Sequence, residues 1–373
     1  MKPEVTRRVL LGAMAALVVP ALPVAPELAE TAAAAERRGV AHWKQQFDRQ
    51  RSYLLTHYGR LSRTGDSRDY YDLAYGIDAY VSMFEATGAT SYLDGALELV
   101  SNVIADARPS TSLGARSFED SYRGWVSGPS GVAGQEVPLY ESYCWRYVCR
   151  LLTALRDDDA VYASTAYRKQ YDAVLAFTEQ HIFDKWYARG VNFYIYRQNT
   201  NMASHWAYIA LHLRKHTRST TRQVRCEKVH ADIAVGGLPN YGGVSLKRQL
   251  SGGSASRSAV GWSESWGLVG QSPQDVSHAN AEVAYVVEGR AHSTMWTDAD
   301  IERMSLTLTE VIMRLKPLYV DGTGKGTGWI ADGFVKLGRF SPQVQRALET
   351  YQPQGQAQYI AAMAANARQL GWA

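Results

Sequence analysis

An all-α chain folded as an α/α toroid, an incomplete α/α barrel, is the architecture that this sequence predicts. Three observations carry it. Helical periodicity runs from about residue 40 to residue 371, and β patterning is confined to short stretches. Helices that are apolar and aromatic along most of their length alternate with helices that keep a charged face. Inner helices buried all round and outer amphipathic ones describe a toroid; a bundle or solenoid without a shared centre is the plainer alternative.

In chain order, the expected helices are 40–60, 69–87, 90–106, 136–156, 164–184, 200–216, 219–234, 277–291, 297–315, 328–350 and 355–371. Breaks at Gly88, Gly128-Pro129-Ser130-Gly131 and Pro317 separate several of them. The helices starting near Asp69, Glu136, Thr200 and Ser277 are the apolar, inner type. Those starting near Ser91, Ser164, Ser219 and Thr297 are the outer type. In the last of these Ile301, Met304, Leu308, Ile312 and Leu315 form one stripe with charges elsewhere. Val191 to Tyr196 alternates and reads as a strand, and residues 236–270 as hairpins. Residues 107–135 and 235–276 are long Gly- and Ser-rich loops that hold Trp125, Tyr241, Trp262 and Trp266. Disordered linkers avoid tryptophan, so these loops read as functional.

The chain has 373 residues, 46% hydrophobic and 20% charged, which suits one large globular domain. Its 23 Tyr and 10 Trp exceed what packing usually requires, and aromatic faces line many sugar sites. Thr6-Arg7-Arg8-Val9-Leu10-Leu11, an apolar run to about Leu22 and the small residues Ala32 to Ala35 read as a twin-arginine export signal over residues 1–35. Pro20 and Pro23 interrupt that run too soon for a membrane span. Lys2, Arg7 and Arg8 cancel Glu4, Glu27 and Glu30, so residues 36–373 keep the formal +4, compatible with an acidic partner. No basic stripe interleaved with aromatics points to nucleic acid. The expected protein is secreted, soluble and monomeric, one domain over 36–373. Cys144, Cys149 and Cys226 form no CxxC and read as packing residues rather than a disulfide framework or a zinc site.

The most chemically pointed stretch is Asn199-Thr200-Asn201-Met202-Ala203-Ser204-His205-Trp206. Asn201 and His205 fall one turn apart on one helix face, beside the N-terminal pole that favours negative charge. An amide donor and an imidazole there suit a carboxylate-bearing substrate. The plainer reading makes Asn201 or Asn199 the N-cap and His205 a core histidine. Gln274-Asp275-Val276-Ser277-His278-Ala279-Asn280 opens another helix in the same way, with Asp275 placed to orient His278. His292, at the far end of that helix, and His212, His216 and His230, late in theirs, are set aside. No HExxH or acidic calcium loop exists; Asp157-Asp158-Asp159 reads as a solvated turn, and the glycine cluster 322–328 lacks P-loop spacing. No metal or organic cofactor is expected. Asp69, Asp72, Glu136, Glu141 and Asp275, near inner-helix starts, offer the rival chemistry of a two-carboxylate glycoside hydrolase. Tyr241, in Pro239-Asn240-Tyr241-Gly242-Gly243, reads either as a mobile proton carrier or as a packed anchor.

On these residues, the alternating helices, the Asn-x-x-x-His-Trp helix start and the tyrosine-bearing loop, the chain resembles the α/α-toroid polysaccharide lyases of the alginate- and glucuronan-lyase type. It departs from the alginate-lyase pattern, in which Asn and His are adjacent, whereas Asn201 and His205 are four apart. The resemblance implies β-elimination at a uronic acid in an acidic polysaccharide. Asn201, His205, Tyr241 and His278 would be catalytic. Tyr70, Glu136, Tyr140, Trp206, Trp262, Trp266, Gln274 and Asn280 are the expected substrate-binding residues. Loop 235–276, with Gly-Gly pairs at 236–237, 242–243 and 252–253, would be a lid that brings Tyr241 to the sugar. A hydrolase on the same fold, or a non-catalytic glycan-binding protein, are the alternatives.

Overall fold

The computed structural model describes residues 37–114, 118–252, 258–267, 272–326, 328–351 and 356–373. The expected export signal, residues 1–35, lies outside the described residues. Among the described residues the chain is all-α. It comprises α1 (Val40–Asp48), α2 (Arg51–Leu61), α3 (Ser67–Thr87), α4 (Thr90–Asp106), α5 (Pro138–Asp157), α6 (Thr165–Phe177), α7 (Thr200–His216), α8 (Thr220–Ala231), α9 (Asn280–His292), α10 (Asp298–Leu306), α11 (Pro342–Glu349) and α12 (Ala357–Gln369), with short helical turns between them. No described helix is long and apolar enough to cross a membrane. Two short antiparallel pairs are the described strands: β1 (Arg108–Pro109) with β2 (Arg123–Gly124), and β3 (Ser251–Gly252) with β4 (Val260–Gly261).

Local chemistry sets most helix ends. Asp66 caps α3 by accepting the Arg68 N–H at 2.8 Å, and Gly88 ends it in the left-handed region at φ 70°. Thr297 and Asp300 make a reciprocal capping box at the start of α10. Three expectations need correction. The 40–60 and 328–350 stretches are each broken: the first between Asp48 and Arg51, the second into a 3-10 segment, Phe334–Phe340, and α11. In the second, Ser341 caps a new helix whose first residue is Pro342, which has no N–H to continue the old one. Val191–Ile195 is a π-helical turn, not a strand; it extends the helical run that starts at α6, and its alternating pattern was too short to separate the two.

Packing follows the two helix classes. Helix α3 lies against α12 and α5, α5 against α7, and α7 against α9. These helices are buried around most of their circumference. Helices α4, α6, α8 and α10 bury one side only. All three cysteines are buried free thiols. Where α3, α5, α12 and the 3-10 segment meet, the core is ionic. Arg146 pairs with Asp332 at 2.6 Å, Lys336 with Asp78 at 2.9 Å, and Arg150 with Asp78, while Gln358 donates to Asp78 at 2.7 Å. The three charged partners of Asp78 and Asp332 (Arg146, Arg150 and Lys336) all sit away from water, so removing a carboxylate leaves an uncompensated charge. Asp332→Ala is therefore expected to lower unfolding free energy by about 3–5 kcal/mol, read as a shift of the denaturant midpoint. A shift near zero would show that Arg146 and Lys336 find other partners.

Candidate functional site

A pocket opens where the N-terminal ends of α7 and α9 meet the N-terminal halves of α3 and α5. Helix α7 contributes Asn201 and His205, and the turn into α9 contributes Ser277, His278, Asn280 and Ala281. Tyr71 and Tyr75 come from α3, Tyr143 from α5, and Trp329 from the segment before the 3-10 turn. Two His-bearing helix starts thus converge on one cavity, as their sequence positions suggested.

His278 is held by Asp275. The Asp275 carboxylate accepts the His278 backbone N–H at 3.0 Å through one oxygen and faces the ring Nδ1 at 2.7 Å with the other. Helix α9 therefore begins three residues later than expected, after a turn that Asp275 closes. The same carboxylate raises the His278 pKa above its ordinary value, with Nδ1–H donated to Asp275 as the leading cause. The ring is half exposed. Its Nε2 is left for a ligand.

His205 differs in every respect. It is buried, neither ring nitrogen has a hydrogen-bond partner, and its ring meets the Tyr143 edge at 4.9 Å between centroids. Burial, followed by the charges of Arg146 and His278, pushes its pKa well below the ordinary value. It is a neutral imidazole with an uncommitted lone pair. An unpartnered buried polar group is costly, so its retention on a pocket wall is informative. Asn201 lies one turn earlier on the same face, only 7% exposed.

The tyrosines form a connected set. The Tyr143 hydroxyl donates to the Tyr75 hydroxyl at 2.9 Å, and Tyr71 stacks on Tyr143 at 3.7 Å. Burial raises the pKa of all three, most strongly for Tyr143, so they are protonated donors. Arg146 lies under this set, 4.1 Å from the Tyr143 ring centre. Behind the pocket, burial pushes Glu282 up to about 8, while Thr200 donates to it at 2.8 Å. A carboxyl held neutral adds no negative charge to the wall. No carboxylate lines the pocket among the described residues.

Several expected site residues lie elsewhere. Tyr241 does not line the pocket; it packs on the core and its hydroxyl donates to the Tyr196 carbonyl at 3.3 Å. Tyr241→Phe is thus expected to change turnover less than about twofold, since it removes a single backbone contact. A steep loss in a steady-state assay would restore it to the chemistry. Tyr70 is buried edge-on against Trp125 at 5.3 Å, because one residue along a helix rotates the side chain by about 100°. Glu136 is buried between Lys185 at 3.2 Å and Arg189 at 3.0 Å. Trp206, Trp262 and Trp266 are buried core residues, so no face is free to stack on sugar. Gln274 is buried, its amide oxygen 3.1 Å from the Thr200 hydroxyl. Tyr140 stands outside the lining, 6.2 Å from the Tyr71 ring and near Arg68. Asn280 lines the pocket but its amide is spent on backbone: it donates to Ser277 and Trp329 and accepts from Gly333 and Phe334. Gly333 permits that approach, for a Cβ there would collide with the Asn280 carbonyl. Of the expected lid, residues 253–257 and 268–271 lie outside the described residues.

Tyr71, Tyr75, Tyr143, Ser277 and Trp329 escaped the sequence reading. Tyr71-x-x-x-Tyr75, one turn apart near an inner helix start, was the available signal. Trp329 had none, since it reaches the pocket through its loop. Compared with known proteins, the chain matches no family model, no curated protein and no solved structure.

Proposed function

We propose that this chain is a polysaccharide lyase built on an α/α toroid, cleaving a uronic-acid polymer by β-elimination. The observation that carries the reading is the pocket's inventory: two asparagines, of which Asn280 is spent on backbone and Asn201 is not, two histidines of opposite protonation preference, three protonated tyrosines and no carboxylate. A two-carboxylate hydrolase needs an acid and a base facing the glycosidic bond, and this wall offers neither. The toroid part of the proposal is supported by the succession α12–α3–α5–α7–α9, each member packed on the next and most followed in sequence by a one-sided helix. The twin-arginine pattern at Arg7-Arg8 fits an exported enzyme acting on an extracellular polymer.

The chemistry follows from placement. The substrate carboxylate lies between His278, protonated through Asp275, and the Asn201 amide. Their positive ends disperse the charge that grows as C5 loses its proton. His205 takes that proton on its free lone pair. A bound carboxylate beside it raises its pKa, so the base strengthens once substrate arrives. The electron pair released at C5 forms the C4–C5 double bond while the C4–O bond breaks. The departing oxygen takes a proton from the Tyr143–Tyr75 pair. Trp329 supplies a face for a sugar ring.

A screen of uronate polymers with ultraviolet detection tests this directly. A lyase yields a conjugated, absorbing uronate end with each cut. Reducing ends without absorbance would assign hydrolysis, and binding without either product would assign a glycan-binding protein.

A further inference from the structure

At the opposite end of α9 from the pocket, about 18 Å along the helix, two histidines set aside by sequence position come together with a glutamate. His212 on α7 and Glu288 and His292 on α9 place their ligand atoms within 4.8 Å of one another. His212 Nε2 is 3.5 Å and His292 Nε2 is 3.6 Å from the same carboxylate oxygen, Glu288 Oε2. Both are too long for good hydrogen bonds. They are close to the separation of about 3.3 Å between ligands around a tetrahedral zinc at 2.0–2.1 Å.

The tautomer at His212 sharpens the point. The Thr153 hydroxyl lies 2.7 Å from His212 Nδ1 and 2.8 Å from His216 Nε2. His212 Nε2 is fully buried, has no close hydrogen-bond partner and faces a carboxylate oxygen at 3.5 Å. In the tautomer that places the His212 proton on Nδ1, toward Thr153, the Nε2 lone pair and that oxygen face each other, and a cation between them satisfies both. An Nδ1–H fixed by a hydroxyl is also the orientation that metal-binding imidazoles adopt.

We propose that His212, Glu288 and His292 bind one divalent transition-metal ion of the zinc type, tying the C-terminal part of α7 to that of α9. Two imidazoles and one carboxylate suit such an ion, with water completing the shell, and do not suit magnesium or calcium. The other Glu288 oxygen faces Arg150 at 3.5 Å and Arg339 at 3.7 Å, so the carboxylate binds through one oxygen only. Lys215, 3.1 Å from His292 Nδ1 and one-third exposed, swings out to solvent when the ion enters. His292 is one-fifth exposed and gives the entry path. The site is structural, since it lies too far from the pocket to touch a substrate there.

The full chain, stripped with a chelator and titrated with zinc chloride, tests the proposal independently of any activity. One zinc per chain by calorimetry is expected. At a free concentration a hundred times Kd the midpoint of thermal unfolding should rise by roughly 4 °C, with no rise in magnesium. His292→Asn and Glu288→Gln should each abolish the rise, whereas His278→Asn should keep it. No binding, or a rise that survives both substitutions, would overturn the proposal. If neither variant folds, anomalous scattering from zinc-soaked wild-type crystals decides: a peak among the three side chains supports the site, and a peak only elsewhere refutes it.

Discussion

Replacing His205 with alanine is expected to lower turnover by at least about 10²-fold, the ordinary yield of a positioned proton-transfer group. The expectation rests on a buried imidazole with two unpartnered nitrogens on a pocket wall. A purely structural histidine would be bonded, as His216 is to Thr153 and Tyr171. His205→Ala also opens a small cavity, so the assay is paired with a thermal melt. Near-normal turnover in a folded variant would return His205 to a packing role. His205→Gln, which fills the space without a comparable base, should be as inactive as the alanine variant.

The second large effect concerns His278 and its orienting carboxylate. His278→Ala is expected to cost at least about 10²-fold in kcat/KM, because it deletes the cation that meets the substrate carboxylate. The pH dependence gives a sharper signature. The folded-state pKa of His278 is raised above the ordinary 6.5 by Asp275, so the charged ring persists to higher pH. The stability it contributes is fully present below the unfolded value of about 6.5 and is lost as pH rises through the folded value. Activity that needs the charged ring follows the same direction. The alkaline limb of kcat/KM should fall through the folded pKa of His278, and Asp275→Asn should move that limb to lower pH. A limb that stays in place in the Asp275 variant would assign it to another group. The hydroxyl of Tyr143 supplies a further check, since Tyr143→Phe keeps the stack with Tyr71 and removes only the proton donor.

The zinc proposal and the lyase proposal fail separately. The first is read by binding and unfolding at the far end of α9, the second by product chemistry at its start.

Helix positions were legible in the sequence because they depend on local signals. Asp66 and Gly88 bracket α3, Thr297 and Asp300 open α10, and the apolar stripe of Ile301, Met304 and Leu308 fixes its buried side. The pairing of Asn201 with His205 and of Asp275 with His278 was equally local, set by one helical turn or one capping turn. Those short-range relations determined the helical class, the alternation of buried and one-sided helices, and four polar groups of the candidate site. Only the tertiary structure decided which of the many aromatics face the pocket. Tyr70 and Tyr71 are neighbours in sequence, yet the way α3 packs on α5 buries one and leaves the other on the wall. The same holds for Trp206 and Trp329, and for Tyr241, whose loop turns its hydroxyl to the Tyr196 carbonyl. His212, Glu288 and His292 meet because α7 and α9 lie side by side over their whole length. Sequence spacing reports neighbours within one helix, whereas a site shared between helices depends on their rotation and depth of packing, which many distant contacts set together.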